Sequence, residues 1–63
     1  MRFTVEYTFI ENGHACRTAW CGPANSVKDA VRVSSEWYGF EKDGVEVTGI
    51  NVTDDAGNEY KVK

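Results

Sequence analysis

The strongest constraint on the fold is an alternating run at residues 2–9, followed by Asn12-Gly13 and a second alternating run. Apolar side chains on every second residue are typical of a strand with one buried face. In the first run these residues are Phe3, Val5, Tyr7 and Phe9. Asn-Gly favours a two-residue type I′ loop, which would place Cys16 opposite Phe9 and Trp20 opposite Val5. The chain is therefore predicted to begin with a β-hairpin that has one apolar face.

A helix is predicted after Gly22-Pro23, because proline cannot donate to a strand ladder and so ends the second strand. Ser26 and Asp29 approximate a capping box, and Gly39 is suited to a left-handed helix end. At 100° per residue, one arc of this helix holds apolar or small residues. They are Val27, Ala30, Val31, Val33, Ser34, Trp37 and Tyr38. We expect this arc to pack on the sheet, with the small Ala30 and Ser34 allowing a close approach.

The last third of the sequence predicts a second hairpin. A strand is expected over residues 45–53, and its apolar parity changes near Thr48-Gly49, which indicates a β-bulge. Residues 54–58 are typical of a three-residue hairpin loop closed by a left-handed glycine. With that loop, Val52 faces Tyr60, and Ile50 faces Val62.

The element order is thus ββαββ in a single domain over residues 1–63. We predict an α+β fold in which one helix covers one face of a four-stranded sheet, either mixed or antiparallel. The order of elements resembles the β-grasp folds, and this resemblance implies the strand order 2-1-4-3 with the terminal strands parallel. The order 2-1-3-4 satisfies the same alternation, and handedness rules do not decide between the two.

The sequence lacks the groups that a catalytic or metal site requires. His14 is the only histidine. With Cys16 it could form a nucleophile–base pair, but no third residue that would orient the histidine is apparent. Cys16 and Cys21 are five residues apart on one strand and so lie on opposite faces, which argues against a disulfide and a zinc site. The pair Asp54-Asp55 is explained by turn chemistry. We predict that the protein is not an enzyme, with no catalytic residues, no metal ligands and no cofactor.

Two features predict a cytoplasmic protein that does not bind membranes. No apolar run reaches the length of a membrane span, and the first residues do not form a signal peptide. The unpaired cysteines agree with a reducing compartment.

The charge distribution suggests an acidic binding surface. The net charge is −3, and seven of the ten acidic residues lie in residues 36–63. This balance argues against nucleic acid and favours a protein partner with a basic surface. The candidate partner-binding residues are Glu41, Asp43, Glu46, Asp54 and Asp55. The same acids could also serve only to keep a small domain in solution.

A second candidate surface is the sheet face away from the helix, which one helix cannot cover. A modest patch on this face is predicted from strand parity. Its residues are Ile10, Ala15, Arg17, Ala19 and Cys21. The patch is compatible with docking of a partner or with a weak homodimer.

Three segments carry a further resemblance: the first hairpin, the helix segment Ser26 to Ser35, and the turn and strand Gly57 to Lys61. Together they resemble several small phage proteins, among them anti-CRISPR inhibitors of type I surveillance complexes. The resemblance implies a non-catalytic inhibitor from a mobile element that covers a basic, DNA-holding surface of its target. It transfers no individual contact residue. The alternative is a nucleic-acid-binding module that uses Arg2, Arg17, Lys28 and Arg32.

Overall fold

The computed structural model describes all 63 residues and has the predicted element order. The elements are β1 (Arg2–Glu11), β2 (His14–Pro23), α1 (Val27–Tyr38), β3 (Val45–Asp54) and β4 (Glu59–Lys61). All neighbouring strands are antiparallel, and the single helix packs on one face of the sheet. The protein is therefore an α+β domain with one four-stranded sheet.

The strand order is β2-β1-β3-β4, so the β-grasp-like order 2-1-4-3 is wrong and the order 2-1-3-4 is confirmed. Strand lengths give the physical reason. Each of β1 and β3 has 10 residues, whereas β4 has 3. Only β3 can satisfy the backbone groups along the whole inner edge of β1, and an unsatisfied buried backbone group is costly. The short strand β4 is left at the edge.

The first hairpin has the register that its loop chemistry predicts. Asn12 and Gly13 both have positive φ angles, 51° and 83°, as a type I′ loop requires. Val5 lies opposite Trp20, and Phe9 lies opposite Cys16. The apolar residues of both strands consequently face the helix.

The helix begins and ends at the predicted residues. The Ser26 hydroxyl accepts a hydrogen bond from the backbone N–H of Asp29, which caps the N-terminus. At the other end Gly39 is left-handed, and its N–H donates to the carbonyl oxygen of Ser35. Phe40 then turns back onto the core, with its ring 4.7 Å from that of Tyr7.

The core lies between α1 and the central strands. Its fully buried apolar residues are Phe3, Val5, Tyr7, Ala30 and Val52. Ser34 is also completely buried, and its Oγ lies 2.6 Å from the Tyr7 hydroxyl while it donates to the carbonyl oxygen of Ala30. The small Ala30 and Ser34 thus bring the helix close to β1, as predicted.

The second half of the sheet contains two bulges. Thr8 pairs with Gly49 and Phe9 pairs with Val47, so Thr48 is the extra residue of the predicted bulge. Val52 pairs with Tyr60, as the loop chemistry predicts. At the end of the hairpin, the N–H groups of Val62 and Lys63 both donate to the carbonyl oxygen of Ile50. The predicted pairing of Ile50 with Val62 is therefore part of a second bulge.

Candidate protein-binding surfaces

The five candidate acids do not form one surface. Glu41 and Asp43 lie in the loop between α1 and β3, and Glu46 lies at the start of β3. Asp54 and Asp55 lie at the opposite end of β3, about 25–30 Å away at the usual strand rise. The acids are neighbours in the sequence, but a ten-residue strand separates them in space.

Three of these acids form what we call the acidic end, Glu41, Asp43 and Glu46. All three are exposed, and none of them takes part in an ion pair or a side-chain hydrogen bond. The one basic side chain of the loop, Lys42, lies 3.5 Å from the Glu11 carboxylate. The acidic end therefore carries negative charge that no residue of this chain neutralises by direct contact.

Asp54 has a structural role in its own turn. Its side chain is 9% exposed and accepts hydrogen bonds from the backbone N–H groups of Ala56 and Asn58. It also accepts from the Asn58 side chain and the Tyr60 hydroxyl. The backbone hydrogen bond from Asn58 is the main cause of the lowered pKa of Asp54, and the bond to Asp54 raises the pKa of Tyr60. Asp54 therefore presents no open carboxylate to a partner.

The five residues of the sheet-face patch lie on the face away from the helix, as parity predicts. Ile10 pairs with Ala15, and Arg17, Ala19 and Cys21 follow along β2. All are exposed, and Arg17 separates the Ile10–Ala15 pair from Ala19 and Cys21. A polar depression of about 400 Å³ over Gly49 adjoins Arg17. The patch is thus two small apolar areas, not one continuous apolar surface.

The two cysteines and His14 lie apart from any ligand cluster. Both cysteines are free, Cys16 on the helix side and Cys21 on the open side of the sheet. The pKa of the exposed Cys21 thiol is lowered, mainly by a hydrogen bond with the Thr4 side chain and to a smaller extent by one with the Arg2 side chain. No group of three or more His, Cys, Asp or Glu side chains is arranged to hold a metal ion.

The strand β2 lies at an edge of the sheet, where unpaired backbone groups could accept an added strand. One of these groups is occupied. The hydroxyl of Tyr38, at the end of α1, donates to the carbonyl oxygen of Ala19 in β2. The helix therefore partly covers this edge midway along the strand.

Trp37 is the residue whose position the sequence predicts wrongly. It belongs to the apolar arc of the helix, yet it is 76% exposed. Ser34 faces Tyr7 in β1, and Tyr38 faces the edge strand β2. Trp37 is on the other side of Ser34, about 60° round the helix, and so lies towards β3. The apolar arc of the helix is wider than the surface that the helix buries against β1 and β2. Trp37, at the margin of that arc, therefore stays exposed to solvent.

Comparison of the chain with known proteins does not indicate a function. No model of a protein family, no characterised protein sequence and no solved structure matches this chain. The single helix has 12 residues and is not of the length and hydrophobicity needed to cross a membrane.

Proposed function

We propose that the protein is a small, non-enzymatic binding module that recognises a basic surface of another protein through its acidic end. One observation carries the proposal. Glu41, Asp43 and Glu46 are exposed at the same end of the molecule, and no basic side chain contacts them. Unpaired surface carboxylates attract a basic partner and increase the rate of encounter with it.

The target that fits this charge best is a basic surface that otherwise holds nucleic acid, because clustered carboxylates can occupy positions meant for phosphates. In this role the protein is an inhibitor of the anti-CRISPR kind, encoded by a phage or another mobile element and acting in the cytoplasm. Asp55 lies at the far end of β3 and takes no part in the proposed contact.

The alternative, a nucleic-acid-binding module, has less support from the geometry. Arg2 and Arg17 lie on the open face of the sheet, whereas Lys28 and Arg32 lie on the helix. Arg32 also forms ion pairs with Asp29, at 2.7 Å, and with Glu36, at 3.4 Å. The four basic residues therefore do not make one phosphate-binding surface.

The test removes the acidic end without changing its shape. The variant Glu41→Gln/Asp43→Asn/Glu46→Gln loses three negative charges, and the matched control Glu6→Gln/Asp55→Asn/Glu59→Gln loses the same number elsewhere. Each protein is immobilised and exposed to a nuclease-treated bacterial lysate. We expect the native protein and the control to retain basic nucleic-acid-binding proteins, and the acidic-end variant to lose them.

The dependence of binding on salt concentration distinguishes the proposed function from the alternatives. Retention by the acidic end should fall steeply as ionic strength rises, because the screening length shrinks from about 30 Å at 0.01 M to about 8 Å at 0.15 M. Retention that is insensitive to salt, or unchanged in the acidic-end variant, would contradict the proposal and point to the open face of the sheet. Binding of short DNA or RNA probes in a low-salt gel shift would instead support the nucleic-acid alternative.

A further inference from the structure

A polar depression on the sheet face away from the helix brings three basic side chains together. It has a volume of about 400 Å³, and Arg17, Lys61 and Lys63 all line it. Arg17 lies on the edge strand β2 and Lys61 on the opposite edge strand β4, so they border the depression from two sides. None of the three takes part in an ion pair or a side-chain hydrogen bond. The depression is therefore a local concentration of unpaired positive charge in a chain of net charge −3.

The floor of the depression is Gly49 in β3, which pairs with Thr8 in β1. The φ angle of Gly49 is not positive, so the backbone conformation does not require glycine here. Space requires it instead, because a Cβ atom at this position would collide with the Thr8 hydroxyl. The missing side chain keeps the middle of the depression open.

The depression also contains a free hydroxyl donor. The Thr48 hydroxyl donates to the carbonyl oxygen of Thr8 at 3.1 Å, whereas the Thr8 hydroxyl donates to no group of the chain. The main-chain oxygen of Lys63, which borders Gly49, accepts from the backbone N–H of Ile50 at 3.3 Å. Glu6 is the only acidic side chain that lines the depression. Three cationic side chains against one carboxylate leave a side-chain charge of +2.

We propose that this depression binds the phosphate group of a small phosphorylated molecule. A phosphate monoester carries a charge of about −1.5 to −2 at pH 7 and three strong acceptor oxygens. Its charge balances that of the depression, and its oxygens match the donors of Arg17, of the two lysines and of the Thr8 hydroxyl. A carboxylate carries one negative charge and two oxygens, so it matches fewer of these groups. The site is separate from the acidic end and goes beyond the proposed function.

Acidic residues on the same face of the sheet favour a compact ligand. Glu46 pairs with Ile10 towards one end of β3, and Glu59 pairs with Thr53 towards the other end. These two carboxylates therefore lie on either side of the depression along the strand direction. A nucleic-acid strand carries a phosphate at every nucleotide, so the phosphates next to the bound one would be repelled by them. A small molecule with a single phosphate group avoids this repulsion.

The test is an NMR titration of the ¹⁵N-labelled protein at constant ionic strength. The probes are inorganic phosphate and ribose 5-phosphate, and ribose and acetate are the control ligands. The backbone N–H signals of Thr8 and Gly49 report on the floor of the depression. We expect both phosphates to shift these signals saturably with about millimolar affinity, as is ordinary for groups of this size. Ribose should not shift them, and acetate should bind more weakly than inorganic phosphate.

Two triple variants decide whether the three basic side chains hold the phosphate. Arg17→Gln/Lys61→Gln/Lys63→Gln removes their charges, and the matched control Arg2→Gln/Lys28→Gln/Lys42→Gln removes the same number elsewhere. All six side chains are on the surface, so both variants should remain folded. The affinity for ribose 5-phosphate should fall about tenfold or more in the first variant, because charge-assisted hydrogen bonds are lost. It should fall much less in the control.

The other outcomes contradict the proposal at different points. The absence of a saturable shift with either phosphate, or the same affinity in the two triple variants, would overturn the site. Acetate that binds as tightly as inorganic phosphate would overturn the assignment to phosphate. A short oligothymidine that shifts the same signals at a lower phosphate concentration than ribose 5-phosphate would identify nucleic acid as the occupant and overturn the small molecule.

Discussion

The two halves of the helix-side sheet face carry the same kind of residue but differ in burial. Over β1 and its neighbours, Phe3, Val5 and Tyr7 are almost completely buried. On β4, which belongs to the same face because Tyr60 pairs with the buried Val52, Tyr60 is 39% exposed and the following Val62 is 48% exposed. We call these the covered half and the uncovered half. Apolar patterning by itself does not distinguish them.

The position of the helix makes the difference. Ala30 and Ser34 bring α1 close to β1, and the Tyr38 hydroxyl holds its C-terminal end over β2. A helix is about 10 Å wide and adjacent strands are about 4.8 Å apart, so a helix placed over β1 and β2 leaves the far strand uncovered. In a domain this small, the second half of an apolar face therefore stays partly exposed to solvent.

Truncating one aromatic residue of the covered half, and the aromatic residue that the helix leaves exposed, should give the largest contrast. Phe3 is 3% exposed, and Phe3→Ala should destabilise the protein by about 3–5 kcal/mol because it leaves a cavity in the core. Trp37→Ala should change the free energy of unfolding by no more than about 0.5 kcal/mol, as for an ordinary surface residue. Urea denaturation measures both. A large loss of stability in Trp37→Ala would show that the Trp37 side chain packs against the sheet and that the helix covers more of it than β1 and β2.

A larger side chain on the buried side of the helix should test whether the helix must lie close to β1. Ala30 is completely buried, and Ala30→Leu should cost about 1–3 kcal/mol because the added methyl and methylene groups force the helix away from β1. The control Val33→Leu adds volume at the half-buried margin of the helix and should be close to neutral. Thermal unfolding compares the two variants. Equal effects would mean that the small residues do not set the helix position.

Local features of the fold could be predicted from the sequence because local chemistry determines them. Asn12-Gly13 fixes the register of the first hairpin, the change of parity at Thr48 marks the bulge, and Ser26 and Gly39 delimit the helix. The placement of the sheet-face patch follows from the same parity. Each of these depends on residues that are close together in the chain.

The remaining features depend on which distant residues meet. Strand parity is the same for both strand orders, so only the short length of β4 excludes the β-grasp-like order. The exposure of Trp37 depends on where the helix crosses the sheet, although its place at the margin of the apolar arc was a usable signal. The separation of Asp54 from Glu41 follows from the length of β3. A cluster of acids in the sequence is therefore a poor guide to a cluster in space.

The smallest expected effect concerns Asp54, whose turn supports the uncovered half. Hydrogen bonds lower the pKa of Asp54, the backbone N–H of Asn58 being the main donor, so the folded state binds this proton less readily than the unfolded state. The stabilisation is complete above the ordinary aspartate pKa of about 3.9 and is lost as the pH falls through the lower value in the folded protein. Stability should therefore decrease with acidification below about pH 4, and Asp54→Asn should reduce this decrease.

Asp55→Asn removes a charge from the same turn without removing these hydrogen bonds and is the control. Urea denaturation between about pH 2 and 6 measures how the free energy of unfolding changes with pH. The same pH dependence in both variants would show that the hydrogen bonds of Asp54 do not stabilise the hairpin that carries Tyr60.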